Sequence, residues 1–173
     1  MSHLTNKAPW YPIDPLGFKI DYDVSARYVL SSSFIKIAGD LEPGGAFRIG
    51  QAREGVETVV LGVVRFKKPQ SFASCIEKMG KAYMNQANIW ELGAYCRMFK
   101  SPLDVKTPEG CGIVACHNLY DVINDVYKVP IAKFISDDNG LGRRLGLLEV
   151  GKSVMGCGLG FLVRIPWLNP EDE

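Results

Sequence analysis

The sequence predicts an α+β fold with an N-terminal antiparallel β-meander, two helices and C-terminal strands, packed as a sheet on helices in two layers. Three observations carry this. Residues 18–66 are rich in β-branched and aromatic side chains, residues 71–98 switch to helical spacing, and the chain after Pro130 returns to short apolar runs punctuated by glycine. Strands first, helices next and strands last is the order of a segregated α+β domain. With 173 residues, the chain suits one domain spanning 1–173 with a real core.

Residues 1–17 place Pro9, Pro12, Pro15 and Gly17 around Trp10 and Tyr11. Proline removes backbone donors, so this segment reads as an arm. Trp10 and Tyr11 are its candidates for gripping the body of the domain or a partner. "FKIDYDV" (18–24) alternates apolar and polar residues like a half-buried strand. "ARYVLSSSFIKIAGDL" (26–41) continues in β-forming residues, "EPGG" (42–45) supplies a turn, and "AFRIGQ" (46–51) returns. "VETVVLGVVRF" (56–66) is the strongest strand signal, with two valine pairs around Leu61 and Gly62.

Ser71 then reads as a helix cap. Phe72, Ile76, Met79, Tyr83, Ala87, Trp90 and Ala94 follow at steps of three and four, which predicts a helix over about 71–98. Asn85 and Asn88 mark the place where it breaks. "GIVAC" (112–116) is a short strand. Asn118 caps a second helix over about 118–128, with Leu119, Val122, Ile123 and Val126 on its apolar face and Pro130 ending it. "IAKFIS" (131–136), the turn "DDNG" (137–140) and two or three further strands complete the chain.

Charge and cysteine usage narrow the chemistry. Twenty basic residues stand against 19 acidic ones, a net of +1, which argues against whole-surface attraction to polyanions but leaves room for a local patch. The N-terminus has no apolar core of signal-peptide length, and "SVMGCGLGFLV" (153–163) is far short of a membrane span. Five cysteines, odd in number and without a C-x-x-C pair, point to reduced thiols and a cytoplasmic protein. No metal site and no cofactor are implied.

Several stretches invite a functional reading. Cys116 lies beside His117, just before the predicted helix start, where unpaired amides would stabilise a thiolate. Adjacent residues leaving a strand point apart, however, and a buried cysteine beside a helix cap is the commoner outcome. Gly146 to Ser153 matches the spacing of a phosphate-binding loop, but its inner residues are bulky or acidic and a strand, not a helix, is expected next. In "VVRFKKPQSF" (63–72), Arg65, Lys67 and Lys68 surround Phe66 at the exit of the strongest strand. Such cations meet phosphates while an aromatic ring stacks on bases. Lys36, Arg48 and Arg53 lie on predicted neighbouring strands and would extend the patch. Arg143 and Arg144 sit in "GLGRRLG", where paired guanidinium groups grip an anion or bridge to Asp137 and Asp138. Glycines 156, 158 and 160 leave one strand face bare for close packing.

No catalytic constellation stands out, so the sequence favours a non-enzymatic intracellular binding or assembly protein: a small regulator, or a subunit of a nucleic-acid-handling complex. Its expected partners are a protein or a second copy of itself, and nucleic acid, with no membrane. The alternatives are a small-substrate enzyme with Cys116 as nucleophile, and a homo-oligomeric structural subunit held by the Trp10–Tyr11 arm.

Overall fold

A computed structural model describes residues 16–34, 36–37, 53–82, 84–98, 112–115, 128–137, 140–149, 154–155 and 159–165. The fold is α+β: a mixed sheet with three described helices. β1 (Leu16–Asp21) pairs antiparallel with β3 (Val56–Arg65), as the alternation in both segments predicts. β10 (Gly160–Ile165) lies on the other side of β3. The sheet then continues through β6 (Gly112–Val114), β7 (Lys128–Asp137), β8 (Gly140–Glu149) and β2 (Lys36–Ile37), with β5 (Asn85–Gln86) paired beside β6 on β10. A small second ladder joins β4 (Gln70–Ser71) to β9 (Val154–Met155).

The stretch 26–41, expected to be strand, instead begins with a helix, α1 (Ala26–Ser33). Ser25 caps it, accepting from the Tyr28 amide at 3.3 Å. Val29, Leu30 and Ser33 are its buried residues. Positions 29, 30 and 33 share one helical face, and burial of that face overrides the modest helix propensity of Val, Tyr and Ser. α1 packs on α3 (Ile89–Met98) so closely that a Cβ at Gly93 would come within 2.5 Å of Val29 Cγ1. The N-terminal meander is corrected accordingly. α1 follows β1, and β2 joins the far edge of the sheet, parallel to β8.

The helical spacing over 71–98 is realised as α2 (Phe72–Lys81) and α3, broken where the two asparagines stand. Asn88 is more than a breaker. Its Oδ1 accepts from the Glu91 amide at 3.0 Å while Glu91 Oε2 accepts from the Asn88 amide at 2.9 Å, a reciprocal cap for α3. Residues 118–127 of the second predicted helix lie outside the described residues. Lys128 already begins β7, and Pro130 pairs within that strand opposite Leu147 rather than ending a helix. Its carbonyl still accepts from the Ala115 amide just past the end of β6, so the missing proline donor costs little of the ladder.

The layering differs from the two layers expected. Val59, Leu61 and Val63 of β3 pack with α1 and α3, while Val64 and Phe66 pack with Phe72, Cys75 and Met79 of α2. Alternate residues of one strand thus feed two cores, and helices cover both faces of the sheet. No described helix is long and apolar enough to cross a membrane.

Candidate functional site

The sheet register decides which basic residues meet. One row of register partners runs Arg65, Gly160, Ile113, Ala132, Leu145 and Ile37 across six strands. The adjacent row, one residue further toward the exit of β3, holds Gly112, Lys133, Arg144 and Lys36. The strand exit "RFKK" and a line of three cationic positions therefore share one end of the sheet. Lys133 follows Val129 and Ile131 in period two, so it lies on the face that α2 partly covers, and it is exposed. Arg144 stands directly opposite Lys133 and is exposed as well. Three strand spacings separate β3 from β7, roughly 14 Å.

At the strand exit, Phe66 is buried at 3% exposure, edge-on to Phe161 at a centroid distance of 5.7 Å. It anchors the exit and has no ring face to offer a base, which corrects its expected stacking role. Arg65 is half-buried, with Nη2 3.7 Å from the position a Cβ of Gly160 would occupy. At the one described member of the Gly156, Gly158 and Gly160 series, the close neighbour is thus β3 itself. Lys67 and Lys68 are exposed.

Lys78, outside the patch predicted from the sequence, joins them. Gln70 donates from Nε2 to the Lys68 carbonyl at 3.4 Å, and its Oε1 accepts from Ser74 Oγ at 3.2 Å and from Lys78 Nζ. Ser71 caps α2 by accepting from the Ser74 amide at 3.2 Å. Positions 70, 74 and 78 recur every four residues, so the helix carries Lys78 back over the strand exit. The spacing from the Ser71 cap carries that signal in the sequence. Glu77 further along α2 is matched by Lys81, whose ammonium holds its carboxyl below the usual value.

The other sequence candidates fall elsewhere. Arg143 reaches across the sheet to donate to the Cys96 carbonyl in the last turn of α3, so it serves as a helix C-terminal partner rather than an anion grip. Arg53 lies at the opposite end of β3, paired with Glu57 at 3.3 Å. Lys36 is on the far-edge strand rather than a neighbour of β3, yet its register position lies in the basic row. Trp10, Tyr11, Arg48, Cys116 and His117 lie outside the described residues, as does the predicted link from Arg143 and Arg144 to the side chains of Asp137 and Asp138. The first half of the loop-like spacing, Gly146 to Glu149, is extended strand paired with β7, and β9 follows at Val154. This is not the loop-then-helix setting a phosphate cradle needs.

Two cysteines are described, and both are buried and unbridged. Burial pushes the Cys75 thiol up to about 11 and the Cys96 thiol up to about 12, so neither is a thiolate at neutral pH. Among the described residues no three His, Cys, Asp or Glu side chains converge as a metal site requires.

The end opposite the basic row carries both signs of charge and is tightly tied. Glu91, 1% exposed, accepts from the Tyr22 hydroxyl at 2.7 Å and lies 3.8 Å from Arg164 Nη1. Arg164 Nη2 pairs with Glu57 at 2.8 Å. Burial, reinforced by the hydrogen bond to Glu91, pushes the Tyr22 phenol well above its ordinary value. No family model, curated protein or solved structure matches this chain.

Proposed function

We propose that this protein is a non-enzymatic binding protein of the cytoplasm that holds the phosphate backbone of nucleic acid on the basic end of its sheet, as a subunit of a nucleic-acid-handling complex. The observation that carries the reading is the cross-strand pair Lys133–Arg144, in one row with Lys36 and at the same end as Lys67, Lys68 and Lys78. A polyanion laid across the row meets several cations at once and releases counterions as it binds. Because Phe66 is buried, its ring does not stack on bases, and contact runs through phosphates with little sequence preference. In this reading Trp10 and Tyr11 serve a protein partner.

Fluorescence anisotropy with labelled single- and double-stranded oligomers tests the proposal. Affinity is expected to fall steeply with salt, with a log–log slope near −3.5 for about five phosphate contacts to a single strand. The triple variant K67A/K68A/K78A is expected to flatten that slope by about 2 at unchanged fold, and to weaken binding uniformly across sequences. Absence of binding at low salt, or wild-type binding by the triple variant, overturns the reading.

A further inference from the structure

Among the described residues, β1 has a strand neighbour on one side only. The Tyr22 amide donates to the Gly55 carbonyl at 2.9 Å, so Tyr22 and, by period two, Ile20 and Phe18 direct their main-chain groups toward β3. The main-chain groups of Gly17, Lys19 and Asp21 therefore point outward from the sheet. All three residues are exposed, while Phe18, Ile20 and Tyr22 alternate with them into the core.

We propose that this edge pairs with the same edge of a second copy of the chain, antiparallel, about a two-fold axis at Ile20. In that register Lys19 stands opposite Asp21 of the other copy, and Asp21 opposite its Lys19. Both are hydrogen-bonding positions, so each pair exchanges two main-chain bonds at a Cα separation of about 5.5 Å, within ion-pair reach. The apolar faces of the two strands also coincide, Ile20 on Ile20, which joins the two sheets into one continuous sheet. Shifting the axis to Lys19 sets lysine against lysine, and shifting it to Asp21 sets aspartate against aspartate. Charge alone therefore selects one register out of three. A lysine on an edge strand ordinarily blocks pairing. Here the aspartate two residues on turns the same lysine into half of a self-complementary code. The proposal is independent of nucleic-acid binding, since none of the basic-row residues lies on β1.

Sedimentation equilibrium of the full chain tests it. The wild type is expected to dimerise in the micromolar range. K19D and D21K are each expected to weaken self-association at least tenfold by setting like charges opposite each other. An equimolar mixture of the two variants is expected to dimerise, and the double swap K19D/D21K to recover self-association. Asp21 also accepts from the Asp23 amide at 3.0 Å, so thermal melts of D21K check that the strand end stays folded, and K19D, which leaves that bond intact, stands as the second arm. A wild type that stays monomeric, or single variants that dimerise as well as the wild type, overturns the proposal.

Discussion

The two ends of the sheet use charge in opposite ways. At one end Glu91, Glu57, Arg164, Arg53 and Tyr22 interlock across β1, β3, β10 and α3, with Glu91 almost wholly buried. Opposite charges there stand against each other, although Arg164 Nη1 is buried without a hydrogen-bond partner among the described residues, and the result is a capped helix fastened to three strands. At the other end Lys133 faces Arg144, and Lys67 and Lys68 stand exposed beside Lys78. The net charge of +1 hides this division. Opposite charges fasten the first end, whereas cations of one sign are gathered at the second.

The largest expected effect comes from breaking the interlocked end. Glu91→Ala removes the acceptor of the Tyr22 hydroxyl, the reciprocal cap of Asn88 and the counter-charge of Arg164 at once. Removing one partner from a buried ionic cluster costs about 3–5 kcal/mol. Urea unfolding followed by circular dichroism should show that loss, with Glu91→Gln milder because its amide oxygen still accepts. Unchanged stability in both variants would mean that the cluster is incidental to the fold.

Acid acts on the same end more gently. The Arg164 guanidinium, bonded to the Glu57 carboxylate, holds its carboxyl below the usual value of 4.5. A depressed folded-state value means the contribution is fully present above the unfolded value and is lost as pH falls through the folded one. Stability should therefore decline on acidification through and below the ordinary glutamate range. Glu57→Gln should be less stable than the wild type at neutral pH and should converge on it in strong acid. The effect is modest, because the Glu57 side chain is 35% exposed and solvent screens the pair.

The contrast between the ends was partly legible in advance. The β3 strand, the Ser71 cap and the break near Asn88 follow from local pattern, because each depends on neighbours within one or two turns. α1 is not predicted because "ARYVLSSSF" has strand composition, although Ser25 and the apolar positions 29, 30 and 34 carry the helical period. Asn88, the last residue of the "NQAN" break, is also a cap for the next helix. The cross-sheet order, with β10 beside β3 and β2 at the far edge, joins segments far apart in sequence, and no local pattern encodes it. The basic pair falls between these cases. Asp137 stands opposite Gly140, and counting back along both strands sets Lys133 opposite Arg144. The "DDNG" motif therefore lies four residues from the pair whose register it predicts.

The smallest expected effect separates the two ends most sharply, because its sign differs between stability and binding. Lys133→Glu replaces a like-charge cross-strand pair with an opposite-charge one facing Arg144. Cross-strand pairs of this kind are worth about 0.2–1 kcal/mol, so the variant should be slightly more stable than the wild type in urea. If the basic row carries phosphate contacts, the same change should weaken oligonucleotide binding and reduce its salt dependence by about one contact or more. Lys133→Ala should lie between the two in both measurements. A site shaped for the fold alone would show the gain in stability with binding untouched. A drop in stability would mean that Lys133 already satisfies a neighbour, which would place it with the interlocked charges of the other end.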